Sequence, residues 1–410
     1  MTTGVLTTSF PRHAGDYAGC FVEDAVRACA ASGETVEVIA AADQAGSDLE
    51  GDLLLPRGGQ SGASFPSGED RPDLAPEIRV MRVRLPTLPP GTVTPSLFYG
   101  AGAPEALESG GAAAWIQATG FWAGLCERVR ERSPAWHRIE AHWLVPSALA
   151  ARAVAPHLPL TAHAHSGDVA LLERIPAGAA LARALARHID DLIFASADLR
   201  DRFARLIGRP AGRVARRALA PEQAALRVKR VPRLGYQGEV GATGPMGPIG
   251  PVGPALPTLL AVGRLVPIKG FDILVRAVAR AAAQRRLPAR ALVRMVILGE
   301  GPERAPLQAL ARRLDVDLIL PGCVPRPEVA CWMTTADLYV QPSRPLGSGR
   351  TEGLPTATLE ALRAGIPVVA SRTGGLGELT GDDLQLVPPA DVGALADALA
   401  ELLGREGAGA

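Results

Sequence analysis

Two glutamates, Glu352 and Glu360, flank the run Gly353-Leu354-Pro355-Thr356-Ala357-Thr358-Leu359. Proline suits the first turn of a helix. Gly365 and Pro367 supply the stop signal for that helix. Glu352 then lies in the loop before the helix and Glu360 on it, so two carboxylates reach one ligand from different elements. Carboxylates accept hydrogen bonds from hydroxyls. The backbone N–H groups of Gly353 and Leu354 sit near a positive helix end, which suits phosphate. Taken alone, the pair also fits a solvated loop charge and an ordinary surface helix residue.

A second cluster is Gly263-Arg264-Leu265-Val266-Pro267-Ile268-Lys269-Gly270. Arg264 offers a bidentate fork and Lys269 a point charge, a pair suited to a diphosphate. Only two of the 43 basic side chains are lysines, Lys229 and Lys269. Ordinary surface charges remain an alternative. Glycine-rich turns at Leu298-Gly299-Glu300-Gly301-Pro302 and Ser371-Arg372-Thr373-Gly374-Gly375-Leu376-Gly377-Glu378 could approach a ligand backbone-first. Near the middle of the chain stands Thr161-Ala162-His163-Ala164-His165-Ser166-Gly167-Asp168. On a strand His163 and His165 share a face. No further ligand is spaced to complete a metal site with them, so no metal is expected. His163 reads as a core or hydrogen-bonding residue, while His165 and Asp168 at the strand mouth face a polar ligand.

These clusters need strand ends to hold them, and the hydrophobic pattern supplies strands. Apolar runs predict strands at Gly4–Phe10, Thr35–Ala40, Ile78–Leu85, Arg138–Val145, Leu158–His165 and Leu192–Ala197, with a helix over Phe21–Ala31. Residues 42–76, rich in Gly, Pro and Asp, read as a long surface loop. Glycine recurs every third residue from Gly238 to Gly253, with Pro after it in four of six triplets. This collagen-like period predicts an extended or flexible connection. The alternation then resumes, with strands at Thr258–Leu265, Val293–Leu298, Leu318–Leu320, Leu338–Gln341, Ile366–Ser371 and Leu384–Val387. Helices fit Phe271–Ala283, Pro306–Leu314, Pro327–Thr334, Pro355–Ala364 and Val392–Leu403. The expectation is α/β: two doubly wound parallel-sheet domains, 1–235 and 258–410, with a Gly-x-y linker over 236–257. In such sheets ligands bind beyond the carboxyl ends of the strands, and the cleft between two facing domains is the default site.

Composition narrows the classes further. The chain has 410 residues, 43 basic and 42 acidic side chains, and a formal net charge of +1. That balance argues against nucleic acid as a partner. No run approaches a membrane-spanning length, and the start lacks a signal-peptide pattern. Five cysteines without a C-x-x-C pair fit a reduced, cytoplasmic protein. Phe121, Trp122, Leu125, Val129 and Trp136 lie among Arg128, Arg130, Arg132 and Arg138. That stretch either packs its aromatics into the first domain or lies on an anionic membrane surface.

The order of these signals resembles glycosyltransferase family 4: a glycine loop near the N-terminus, His-x-x-Asp, Gly-Arg-Leu-x-x-x-Lys-Gly, then Glu-Gly-x-Pro-x-x-x-x-Glu. Ala141-His142-Trp143-Leu144-Val145-Pro146 is similar to the family's first domain. The resemblance implies a GT-B fold with two Rossmann-like domains, acting as a retaining transferase of a hexosyl group from a nucleotide-diphosphate sugar. It implies no metal or other cofactor. By position, Arg264 and Lys269 would hold the donor diphosphate and Gly15 would let the first loop approach it. Glu352 would bind the donor sugar and Glu360 the ribose. Gly353 and Leu354 amides would meet the phosphates, Gly299 and Val324 would flank the base, and His165 would contact the transferred sugar. The acceptor, whether glycan, lipid-linked or small molecule, is not specified, and peripheral contact with the inner membrane face accompanies the lipid-linked case. Family members usually continue into a helix that crosses back to the first domain, which is expected to be missing here. A nucleotide-sugar-binding protein without turnover and a GT-B epimerase are the competing readings.

Overall fold

A computed structural model describes residues 1–12, 16, 18–42, 44–45, 53–55, 78–86, 94–95, 97–99, 103, 106–107, 111–209, 217–218, 257–284 and 293–406. The chain divides into two compact units, Met1–Ala220 and Pro221–Ala410. The Gly-x-y run and Gly15 lie outside the described residues.

The first unit contains β1 (Thr2–Leu6), α1 (Cys20–Ala31), β2 (Thr35–Ala41), β3 (Gln44–Ala45), β4 (Leu53–Leu55), β5 (Ile78–Val83) and β6 (Thr94–Pro95). There follow α2 (Gly111–Arg132), β7 (Arg138–His142), α3 (Leu149–Val154), β8 (Leu160–Ala164) and α4 (Ser166–Arg174). The unit closes with α5 (Gly178–His188), β9 (Asp191–Phe194), α6 (Ala197–Ile207) and β10 (Arg217–Ala218). The main sheet runs β10-β9-β8-β7-β1-β2-β5-β4. Its strand pairs are parallel except β4 with β5. Helix α1 repeats Val22, Val26 and Ala30 at four-residue spacing, which aligns them on one face. That face packs on Val5, Val36 and Val38 of the sheet.

In the second unit lie β11 (Thr258–Val262), α7 (Phe271–Ala283), β12 (Arg294–Leu298), α8 (Arg304–Leu314), β13 (Leu318–Gly322) and α9 (Arg326–Thr335). It ends with β14 (Leu338–Gln341), α10 (Thr356–Arg363), β15 (Val368–Ser371), β16 (Leu384–Val387) and α11 (Val392–Glu406). The sheet order is β13-β12-β11-β14-β15-β16, parallel throughout. This is the doubly wound order in which the chain leaves in opposite directions from β11 and β14. The loops after those two strands therefore part and leave a crevice at the carboxyl edge. Helix α7 buries Phe271, Leu274, Val275, Val278 and Ala281. Each large apolar side chain buried there stabilises the unit by about 2 kcal/mol.

Two sequence expectations change. Residues 42–76 carry short strands: Leu53–Leu55 pairs antiparallel with β5, and Gln44–Ala45 pairs with Thr94–Pro95. The first strand is Thr2–Leu6, not Gly4–Phe10. Phe10 is nevertheless buried: its ring packs in the cluster with Val5, Val22 and Val38, and its carbonyl accepts hydrogen bonds from the Tyr99 hydroxyl and the Arg82 guanidinium.

Candidate functional site

The crevice edge of the second unit gathers most of the residues singled out by sequence. After β11 the chain turns through Gly263 and Arg264, then through a short 3-10 turn, Pro267–Lys269, that carries Lys269 to the start of α7. Arg344, just past β14, pins this turn. Its Nε donates to the Pro267 carbonyl at 2.9 Å, its backbone N–H donates to the Ile268 carbonyl, and its guanidinium pairs with Asp272 at 3.2 Å.

So placed, Lys269 meets Glu352 from the loop between β14 and α10. Nζ lies 2.8 Å from Oε2, and both side chains are 13 % exposed. An ion pair this sheltered retains more of its electrostatic energy than a surface pair. Gly353 accepts a hydrogen bond from the Gly375 backbone N–H at 2.8 Å. The glycine turn at 374–378 thus braces the Glu352 loop, instead of opening a longer helix. Gly374 has φ +51°, and a Cβ there would fall 2.0 Å from the Glu352 carbonyl oxygen, so a side chain would push the loop out of place.

Pro355 caps α10 from outside rather than occupying its first turn, since its ψ of 118° is extended. The amides of Gly353 and Leu354 precede that helix start. Glu360 lies on α10 and reaches Arg326 at a long 3.4 Å. Gly299 follows β12, with its N–H donating to the Gly322 carbonyl at 2.8 Å. At φ +144° it brings its backbone against Gly263, where a Cβ would fall 2.0 Å from the carbonyl oxygen. The Gly299 and Gly263 turns are therefore stacked. Val324, in the loop after β13, is half-buried against the core of this unit.

Sequence reasoning missed the polar thread beneath these loops. The Tyr339 hydroxyl donates to Gln341 Oε1 at 3.0 Å, and Gln341 Nε2 donates to Ser343 Oγ at 2.9 Å. All three residues are fully buried, and burial drives the Tyr339 phenol's pKa upward. This chain of hydrogen bonds fixes the end of β14, where the Glu352 loop departs. The available signal was a polar Gln341 and Ser343 closing an otherwise apolar strand. Arg344 and the buried Arg350 carried no motif at all.

In the first unit, β7 and β8 end in a cluster of imidazoles. The parallel register sets His142 beside His163. Their rings stack 4.4 Å apart at 8°. His165 follows β8 and packs against Trp143 at 4.6 Å and Phe21 at 5.1 Å. Burial, with His163 second, brings the His165 imidazole down to about 3, and the same causes hold His142 well below its ordinary value. Both rings are therefore neutral near pH 7.

Asp168 is turned inward, so it does not face a ligand. Its carboxylate accepts the backbone N–H groups of Leu144, His165 and Val169 at 2.6, 2.9 and 2.8 Å. Burial nevertheless pushes the carboxyl up to about 7, against the pull of those donors. Its role is to tie the turn after β7 to the start of α4, which fixes the backbone of His165. Among the described residues, one group has metal-ligand geometry: Glu140, His142 and His163. Sequence spacing paired His163 with His165 instead, because the neighbours contributed by β7 come from cross-strand register.

Residues 256–405 match the family model described as Glycosyl transferases group 1. Over 150 residues, 35 % of this chain and 38 % of the relative, the sequence is 37 % identical to the GDP-mannose-dependent alpha-(1-6)-phosphatidylinositol monomannoside mannosyltransferase of Mycolicibacterium smegmatis. Over 148 residues, 35 % of each chain, it is 35 % identical to the putative colanic acid biosynthesis glycosyltransferase WcaL of Salmonella typhimurium. The match thus spans little more than a third of the length of these curated relatives. The structure resembles sucrose-phosphate synthase of Thermosynechococcus elongatus with a TM-score of 0.63 at 17 % identity, covering 98 % of this chain and 90 % of the other. Against Anabaena HepE in complex with UDP the TM-score is 0.58 at 17 % identity, covering 99 % and 91 %. These likenesses span both units and show the two-unit, Rossmann-like GT-B fold anticipated from sequence. The stretch that matches this family model lies within the second unit and contains the Lys269–Glu352 pair.

Proposed function

We propose that the protein is a retaining glycosyltransferase that moves a hexosyl group from a nucleotide-diphosphate sugar to an acceptor that is a glycan, a lipid-linked sugar or a small molecule. The observation that supports this most is the sheltered Lys269–Glu352 pair at the carboxyl edge of β11 and β14, inside the matched domain. Lys269 and Arg264 hold the donor diphosphate, joined by the amides of Gly353 and Leu354 before α10. Glu352, once its lysine turns to phosphate, accepts from hydroxyls of the sugar. Glu360 accepts from the ribose, and Gly299 and Val324 flank the base.

As the glycosidic bond breaks, negative charge grows on the leaving diphosphate, and the fixed cations stabilise it. The leaving phosphate takes the acceptor's proton, so the step requires neither a separate base nor a metal. His165, neutral and held by Trp143 and Phe21, presents its ring to the transferred sugar. Relatives named for GDP-mannose and a neighbour bound to UDP set the first donors to try. Peripheral membrane contact through the exposed Trp115 and Trp122 of α2 belongs to the lipid-linked version of this reading.

A thermal-shift panel of UDP-, GDP-, ADP- and TDP-sugars, followed by product analysis with the donor that binds, tests the proposal. Stabilisation by one donor and transfer with retained anomeric configuration is the expected result. Inverted product would remove the retaining mechanism. Donor binding without transfer or hydrolysis would leave a nucleotide-sugar-binding protein.

A further inference from the structure

Buried polar atoms in folded proteins are nearly always hydrogen-bonded, and exceptions call for an explanation. His142 is such an exception: its side chain is buried at 3 % exposure, and neither ring nitrogen has a hydrogen-bond partner. The Nε2 of His163, stacked on it, is also buried without one. The third member of the group is Glu140, two residues before His142 on β7 and so on the same face of the sheet. Its Oε1 is taken by Arg138, which also holds Glu34 at 3.1 Å. Its Oε2 lies 3.8 Å from His163 Nε2, within ion-pairing distance but longer than a hydrogen bond.

One donor atom from each of Glu140, His142 and His163 lies within 4.8 Å of the others. Donor atoms around a tetrahedral ion at about 2.1 Å stand about 3.4 Å apart. The two rings now stack at 8°, so closing on an ion requires the imidazoles to turn out of the stack until their in-plane lone pairs converge, with no change in strand register. Two imidazoles and one carboxylate are the donor set of a borderline divalent metal, not of the all-oxygen sites that magnesium and calcium prefer.

We propose that Glu140, His142 and His163 form a binding site for a divalent ion of the Zn2+ class, with a fourth coordination position left to solvent. Bound there, the ion links β7 to β8 beneath the loop that carries His165. It has no part in the transfer step, so the site stands or falls apart from the proposed activity.

The full-length protein, stripped with chelator, is dialysed against Zn2+ and separately against Co2+, whose visible absorption reports its ligands. The expected result is one ion bound per chain at micromolar concentration, with a rise in melting temperature and no competition from excess Mg2+. His163→Gln and Glu140→Gln each weaken binding by more than about tenfold, the scale at which even outer-shell losses register. His188→Gln, on the exposed face of α5, leaves binding unchanged. Should His163→Gln fail to fold by circular dichroism, Glu140→Gln decides alone, since it is nearly isosteric. No ion retained by the native chain, or an ion retained equally by the native chain and Glu140→Gln, would overturn the site.

Discussion

The two units set their contrasting ion pairs at opposite ends of similar sheets. In the first unit a linked group of charges sits at the amino ends of the strands. There Glu37, near the start of β2, is bound by the Arg132 guanidinium and by the Trp136 indole N–H at 2.7 Å. Glu34 and Arg138 add a second pair beside it. At the carboxyl edge of that sheet the same unit offers the neutral imidazoles of His142 and His165, an inward-facing Asp168 and the Arg12–Asp16 pair in the loop after β1. In the second unit the sheltered pair, Lys269 with Glu352, stands at the carboxyl edge. Carboxyl edges are where α/β sheets bind ligands. On the proposed reading, the first unit's pairs at the amino ends serve stability and the Lys269–Glu352 pair serves the donor.

That contrast breaks most visibly at Glu37. Removing one partner of a buried ion pair leaves the other uncompensated and costs about 3 kcal/mol. Glu37→Gln should lower the first melting transition of the chain while leaving nucleotide affinity nearly intact, which calorimetry with and without donor can check. The pH dependence has a definite sign. Burial raises the Glu37 carboxyl, but Arg132 and Trp136 outweigh it and hold the pKa below the ordinary 4.5. The stability it contributes is therefore full above pH 4.5 and is lost as pH falls through the folded-state value. In Glu37→Gln the acid limb of the stability curve should be shallower. An unchanged limb would show that another group governs it.

At Lys269 the balance should reverse. Losing a charge-assisted contact to phosphate costs about 2 kcal/mol of binding, roughly a thirtyfold rise in Kd. Stability should change less, because Glu352, at 13 % exposure against 7 % for Glu37, keeps more contact with water once its cation is gone. Isothermal calorimetry with the matching nucleoside diphosphate measures the first, and thermal melting the second. A large drop in melting temperature with unaltered affinity would place Lys269 among structural ion pairs like that of Glu37.

A finer cut lies within the second unit. If Glu352 serves the sugar and Glu360 the ribose, Glu352→Gln should depress turnover and spare free nucleotide. Glu360→Ala should weaken free nucleotide, by about 1 kcal/mol for a single lost hydrogen bond. Equal weakening of free nucleotide by both would dissolve the division. Its structural basis is that Glu352 is held by the loop and Lys269, while Glu360 rides on α10 with only a 3.4 Å contact to Arg326.

The same asymmetry governed what the sequence could reveal. In the second unit Leu338–Gln341 and Leu384–Val387 form strands over the expected residues, and Phe271–Ala283 forms the expected helix. There the apolar runs are bounded by glycine and proline, and the charged site residues fall in short motifs beside them. The Lys269–Glu352 contact spans 83 positions, yet each partner stood in its own local signal. What positions them was quieter: Arg344 acts on backbone carbonyls, and Tyr339, Gln341 and Ser343 bond to one another at two-residue spacing along the end of β14, a pattern that an alternating strand shows without any such bonds. In the first unit the grouping of Glu140 and His142 with His163 depends on strand register. Register is set by the whole sheet and is not readable from β8 alone.

The weakest effect concerns α2. Its apolar content suggested either core packing or a membrane surface, and Phe121, Leu125 and Val129 are fully buried, with Trp136 beyond the helix nearly so. Core packing therefore takes most of that surface. What remains outside is Trp115 at 44 % exposure, Ile116 at 40 % and Trp122 at 36 %. Trp115 and Trp122 are seven residues apart, two turns of helix, and so share a side. Tryptophan favours the interfacial layer of a bilayer because its ring is amphipathic. The nearby charges add little, since Arg128 pairs with Glu131 at 3.1 Å and cancels locally. Vesicle flotation should therefore be partial, nearly indifferent to salt, and diminished in the Trp115→Ala/Trp122→Ala double variant. Flotation that salt abolishes and the double variant retains would transfer the membrane contact from these rings to a basic surface elsewhere in the first unit.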